Sequence, residues 1–482
     1  MGKNVAIIGG GISGLACAQR LSESNDIIDS ITVFDTGNRS CGGRASSRVY
    51  PKAGFEFDHA AQYFSVKDEN TPFSRYCRAA IDRNELYVID NDRYGIISPG
   101  NNAQKFDDDG LVRYASVDGF RAFVRHLEDS FLDVVASDNK NKIERPQWVG
   151  SMRKCGNKKW VLANTQDQTR KNYRELGEYD FVVIAHNGKC AFNLMKTAVN
   201  TENANESPKI LQTLKASFGI KPREVLYKKR ELVLSSIWSV NVAIGNLDEE
   251  TMQKLDAFDG AHVVENERLA YIGNNTLKKK KKKKKKTETV REITLLSTPL
   301  YGKRNKCPQE AIPEAVANKV KLDLVTELEK TLNIAPDVLN NNIVFSKLQL
   351  WGAANGLTVA NTEYLLDTNA SVGVCGDWLT TDDQSPSVET GMHSGWLLAE
   401  AILNKPTENH LQVKWKPVQN ASALGLTVPG ADLPDPPPEE EAMTRNNKKS
   451  YNRQRRRGRR KPTSSAPRAA MPSRACVRVA RF

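Results

Sequence analysis

The stretch from Val5 to Asp35 constrains this chain more than any other. Val5-Ala6-Ile7-Ile8 is a short apolar run that reads as a buried strand. Gly9-Gly10-Gly11-Ile12-Ser13-Gly14 follows, and then Leu15, Ala18 and Leu21 recur at helical spacing. A second apolar run, Ile31-Thr32-Val33-Phe34, closes on Asp35. Strand, glycine turn, helix, strand and terminal acid in this order form the dinucleotide-binding fingerprint in the context it requires. Gly9 permits the tight turn, Gly11 leaves room for a pyrophosphate to approach the backbone, and Gly14 lets helix and strand pack closely. The helix, opening at Ile12 and Ser13, turns its first N–H groups and the positive end of its dipole toward that anion. Asp35 stands where a ribose-binding acid belongs.

Seven residues past Asp35 the chain reads Gly42-Gly43-Arg44, and after that Phe55-Glu56-Phe57-Asp58-His59-Ala60-Ala61-Gln62-Tyr63-Phe64. Near the other end lies Cys375-Gly376-Asp377-Trp378, followed by Ser387-Val388-Glu389-Thr390-Gly391. Together these motifs resemble the FAD-dependent amine-oxidase superfamily, and within it the renalase-like branch, over roughly residues 4–404. The resemblance implies an α/β fold: a Rossmann-type, glutathione-reductase-like FAD-binding domain with an inserted antiparallel-sheet substrate domain. It also implies that the planar Arg44 guanidinium, beside Gly42 and Gly43, holds the FAD pyrophosphate. Val149 would meet the adenine, and Gly376-Asp377 the ribityl chain. The backbone of Glu389 and Thr390, at a helix N-terminus, would face flavin N1 and C2=O. No cysteine for a covalent flavin link is identifiable, so non-covalent FAD is expected. Monoamine oxidases carry a tyrosine at the turn of the last helix, where this chain has Val388. The renalase-like branch implies instead a small, reduced, ring-shaped substrate such as a nicotinamide derivative. That substrate gives a hydride to flavin N5, and O2 is then reduced to H2O2. Oxidation of an amine or a desaturation on a bulkier substrate, and FAD binding without turnover, are the competing readings.

The substrate pocket is expected between the two domains. His59, Gln62 and Tyr63 are its candidates on one side, and Trp238, Tyr271, Trp351 and Asn355 on the other, all aromatic or polar residues in apolar stretches. His186, closing the apolar run Asp180–Ala185, reads as a structural histidine. The expected domain pattern is FAD-binding over 1–70, 112–199 and 346–405, and substrate-binding over 71–111 and 200–345. Within the substrate domain, Leu232–Ile244, Leu269–Gly273 and Ile293–Leu300 alternate as in an antiparallel sheet with one wet face. Leu86–Asp90 and Tyr94–Ser98 read as a hairpin. Residues 277–288, which contain nine consecutive lysines, read as a disordered loop that buries nothing, and residues 406–482 as a disordered tail.

The net charge of +13 is misleading. Removing the nine lysines of the run and the fourteen Lys and Arg of the acid-free tail from Met443 onward leaves −10 for the rest. A basic nucleic-acid-binding core is therefore not expected. No run of eighteen apolar residues exists, so no membrane span is expected. The eight cysteines form no CxxC pair, and neither a metal site nor disulfides are expected. The first strand begins almost at once, so no leader is expected and the chain reads as cytoplasmic. The basic run Lys448–Lys461 makes a nuclear address a second reading.

Overall fold

Alternate residues of the first strand, Lys3–Ile8, go to opposite sides of one sheet. Ala6 and Ile8 enter one apolar cluster with Val182, Ile184, Val372 and Val374, while Val5 and Ile7 enter another with Ile31, Val33, Phe181 and Val183. A strand buried on both faces loses the polar alternation of a half-wet one. These contacts come from a computed structural model that describes residues 2–66, 69–100, 104–105, 111–133, 140–155, 158–198, 209–218, 231–280, 289–381, 386–404 and 407–418.

The first sheet has six strands in the order Lys142–Glu144, Ile28–Phe34, Lys3–Ile8, Phe181–Ile184, Val372–Val374, Leu365–Asp367. All neighbours are parallel except the last pair. The fingerprint helix Ile12–Ser22 and the final helix Val388–Leu403 cover one face. A three-stranded meander, Ser151–Lys154, Trp160–Ala163 and Glu175–Tyr179, covers the other through Met152, Trp160, Leu162 and Tyr179. The two helices cross closely because a Cβ on Gly395 would stand 2.0 Å from the Ser13 carbonyl oxygen.

The second sheet has seven strands, in the order Ile343–Trp351, Ile237–Ile244, Arg291–Ser297, Leu269–Asn274, Gly260–Val263, Tyr94–Ile97, Gln104–Lys105. Helix Glu314–Thr331 packs Val320, Leu324, Val325 and Leu328 onto one face, against Trp238, Val240, Val242 and Ile244. The opposite face is not wet at its centre. All eight residues of Ile237–Ile244 are buried, and the polar alternates Ser239 and Asn241 lie in the interior with Thr294. The alternation in the sequence came from a buried polar layer. The strand Ile343–Trp351 lies wholly in this sheet, so a boundary after residue 345 would cut it.

The expected hairpin does not form. Leu86–Val88 pairs with Val112–Ser116, whereas Tyr94–Ile97 runs parallel to Gly260–Val263. Helix Pro72–Asp82 begins as its sequence dictates, with Thr71 as N-cap accepting from the Ser74 N–H and Pro at the first position.

Two further expectations change. Helix Asn275–Lys280 carries the start of the lysine run into the fold, and Lys278 is only 2% exposed. The remaining lysines, 281–286, and Asn200–Ser207 lie outside the described residues. The core also continues past Lys405. His410 exchanges two backbone hydrogen bonds with Leu366, Lys416–Pro417 pairs with Thr358–Val359, and the Val418 N–H donates to the Leu357 carbonyl. Leu411, Val413 and Trp415 pack on the core, with Trp415 stacked on Trp378 at 6.1 Å. The expected tail therefore begins no earlier than residue 419, and residues 419–482 lie outside the described residues.

A chain ended at Val418 is expected to keep the parent's urea midpoint. One ended at Asn404 is expected to lose about 4 kcal/mol of stability, from the apolar surface of Leu411, Val413, Trp415 and the buried Val418 returned to water. Equal midpoints for the two would show that residues 407–418 contribute nothing to the fold.

Candidate functional site

The glycine turn is built for a close visitor. Gly9 has φ +116°, a value that L side chains rarely adopt, and a Cβ on Gly14 would stand 1.9 Å from the Gly9 carbonyl oxygen. A Cβ on Gly11 would meet nothing within 4 Å. Gly9 and Gly14, the first and last glycines of the pattern, are thus needed by the fold around them, and Gly11 faces open space. Ile12 and Ser13 begin the helix beside it. His186, at the end of Phe181–Ile184, is packed behind the turn next to Gly9. Burial lowers its pKa to about 4.

Asp35 closes the second strand. Its Oδ2 accepts from the Gly10 N–H at 2.8 Å and its Oδ1 from the Gly37 N–H at 2.6 Å. Burial raises its pKa, and the two N–H donors oppose that shift. A carboxylate has about four acceptor positions, so both oxygens retain capacity for a ribose hydroxyl. The Gln147 N–H donates to the Asp35 carbonyl, which sets Val149 at the end of this strand, buried against Phe34.

The Gly-Gly-Arg loop lies against the turn. The Gly42 N–H donates to the Gly10 carbonyl at 2.7 Å, and Gly43, at φ +57°, approaches Gly11. Arg44 reaches across to the far end of the chain. Its Nη2 meets Asp377 Oδ1 at 2.7 Å, and its Nη1 donates to the Ala354 carbonyl and lies 3.5 Å from Asn355 Oδ1. The family resemblance implies separate tasks on a cofactor for Arg44 and Asp377; the structure pairs them with each other. Gly376 is fixed by its N–H donating to Ser394 Oγ.

The final helix opens on a capping box. The Thr390 N–H donates to Ser387 Oγ at 3.1 Å, and the Ser387 N–H to Thr390 Oγ1 at 2.8 Å. The Thr390 N–H expected to face a flavin is thus spent on the cap. Val388 packs beside Ile12 and Met392, leaving no aromatic ring at that turn.

The expected pocket residues separate into three fates. His59 stacks on Trp351 at 5.2 Å, and Trp351 Nε1 donates to the His59 carbonyl. Tyr63 joins Tyr271 and Tyr94, with its hydroxyl 2.8 Å from His262 Nε2. Trp238 and Gln62 are engaged elsewhere. Trp238 points to the helix-covered side of its sheet, and Gln62 spends its amide on Asp58 and Lys278. Sequence reasoning missed His262, Asp58 and Lys278. Burial lowers the pKa of His59 to about 3 and of His262 to about 4, with Arg48 and Arg113 adding to the respective shifts. Both rings are therefore neutral at pH 7. Among the described residues no group of His, Cys, Asp and Glu is placed to hold a metal ion, and no helix is long and apolar enough to cross a membrane.

Residues 7–80 match the family model of the NAD(P)-binding Rossmann-like domain. No curated protein sequence matches the chain. Two solved structures of putrescine oxidase, a triple mutant and a single mutant from a redesign of cofactor binding, are similar to it. Each has a TM-score of 0.50 and 9% identity over 84% of this chain, covering 99% of the first and 100% of the second. The fold is that of putrescine oxidase. At this identity the likeness speaks of architecture: a Rossmann-type domain joined to a second, largely antiparallel sheet.

Proposed function

We infer that the chain is an FAD-dependent oxidoreductase, with FAD held non-covalently. One observation carries this reading: the open side of Gly11, the acid Asp35, the Gly42-Gly43-Arg44 loop and Asp377 converge although 366 residues separate Gly11 from Asp377. A single fingerprint serves any dinucleotide, whereas a second glycine loop tied by arginine to the last parallel strand suits a longer, extended one. Each group has a task that its position permits. The N–H groups near Gly11 and the helix behind them neutralise pyrophosphate. Asp35 accepts from the adenosine ribose and Asp377 from the ribityl chain. Arg44 sets the direction of Asp377 and adds positive charge beside the phosphates.

Bound FAD supplies two-electron acceptance at its N5 and reoxidation by O2. The protein must hold a donor against it and keep bulk water away. We assign that wall to His59, Trp351 and the Tyr63–His262–Tyr271 group, whose neutral imidazoles suit an uncharged, planar, reduced ring. The nicotinamide derivative implied by the renalase-like motifs is such a ring. The same aromatic group favours a second reading, oxidation of an amine, because tyrosine faces attract cations.

Purified protein is expected to be yellow, with one FAD per chain released by acid or heat. Anaerobic mixing with NADH, NADPH and putrescine, followed by flavin bleaching, separates the two readings. Bleaching by putrescine alone moves the assignment to amine oxidation. A colourless protein that cannot be reconstituted with FAD overturns both.

A further inference from the structure

Lys278 is the first of nine consecutive lysines, and its side chain is buried. Its ammonium has three donors. They meet Asp58 Oδ2 at 3.2 Å, the Gln62 carbonyl at 3.0 Å and Gln62 Oε1 at 3.0 Å. Asp58 is itself 2% exposed and fully committed: Oδ1 accepts from Ser47 Oγ and the Phe120 N–H, and its own N–H donates to Asn275 Oδ1. Asn275 then reaches Thr294 Oγ1, which donates to the Asp58 carbonyl. The buried polar face of the seven-stranded sheet thus ends on one short segment, Asp58 to Tyr63.

That segment carries much of the candidate site. The His59 carbonyl holds Trp351, the Ala61 N–H donates to the Arg44 carbonyl, and the Tyr63 hydroxyl meets His262. Lys278 is the cross-link that fixes Gln62 between these three anchors. A buried ion pair is a poor device for stability, since apolar side chains of similar volume serve as well or better. What the pair supplies here is direction, because three acceptors must sit around one nitrogen.

We propose that Lys278 is a positioning residue of the flavin site, holding the Asp58–Tyr63 wall in place through Asp58 and Gln62. The proposal rests on the FAD reading above, and its test separates the two. In the full chain, Lys278→Met leaves Asp58 unpaired and is expected to lower stability. Asp58→Asn/Lys278→Met removes both charges and serves if the single variant fails to fold. Hydrogen exchange of residues 58–63, measured with and without FAD, is expected to quicken by about tenfold or more in either variant. The affinity of the holoprotein for sulfite, which adds to flavin N5, is expected to fall by about fivefold or more, with FAD content unchanged. Lys330→Met, on the exposed side of its helix, is the control and should move neither. Parental exchange and sulfite affinity in the double variant would overturn the proposal. So would faster exchange with unchanged sulfite affinity, which would leave Lys278 a structural tie only. A parent that binds no flavin would overturn the FAD reading instead, and the exchange measurement would still decide whether Lys278 holds the segment.

Discussion

Lowering the pH from 7 to 4.5 is expected to remove most of the stability of this protein. Three buried histidines are responsible: His59, with a pKa of about 3, and His186 and His262, each at about 4, against an ordinary value of 6.5. Burial is the main cause in all three. The unfolded chain binds protons at these rings from pH 6.5 downward, and the folded chain does not until pH 4 or below. More protons on the unfolded state means that stability rises with pH, so it falls on acidification through this window. At pH 4.5 each ring costs roughly 2–3 kcal/mol, and the three together several kcal/mol, from ~1.36 kcal/mol per pKa unit. A typical folded domain has about 5–15 kcal/mol in all. Urea unfolding at pH 7, 6, 5 and 4.5 measures the effect. His262→Gln, which keeps a partner for Tyr63, should lower the slope of stability against pH by about a third. A midpoint that stays flat from pH 7 to 5 would show that these rings take up protons in the folded state.

Asp377→Ala is expected to weaken FAD binding by about 10–100-fold, the equivalent of one charge-assisted hydrogen bond. The pairing with Arg44 adds a second consequence. Without the carboxylate, the guanidinium keeps, among the described residues, the Ala354 carbonyl and Asn355 as partners and loses its direction. Asp377→Asn retains an acceptor and should lose less. Asp35→Ala should also weaken binding, and its loss should add to that of Asp377→Ala, because the proposed site gives the two acids opposite ends of the cofactor. Arg44→Ala and Asp377→Ala should fall well short of additive, because they touch. Fluorescence titration of the apoprotein with FAD gives all these values. Parental affinity in Asp377→Ala would reduce it to a turn residue.

The nucleotide half of the site was legible because its grammar is local. Strand, turn, helix and acid follow one another within some thirty residues, and each glycine answers to a clash or an opening a few residues away. The second sheet was legible in kind but not in facing. Ser239 and Asn241 alternate with Trp238, Val240 and Val242, a pattern that water on one side and a buried polar layer both produce. Trp238 was placed in the pocket for want of that distinction. Strand partners were hidden for another reason: Tyr94–Ile97 finds its neighbour at Gly260–Val263, more than 160 residues on, and nothing near Tyr94 encodes it. The segment after Lys405 did carry a sign. Leu411, Val413 and Trp415 alternate with Gln412 and Lys414, as strand-like residues against a core do. The composition of the tail behind them drowned it.

Lys278 is the reverse case, one informative residue among identical neighbours. Its position is defined from the left, by Asn275, Thr276 and Leu277, so the buried place is filled by whichever lysine comes next after Leu277. A lysine tract that gains or loses repeats therefore refills the same place each time, as long as three lysines remain to complete the helix to Lys280. Length variation in this tract is buffered at its first member, and a single point substitution at Lys278 is the change that the repeat cannot absorb.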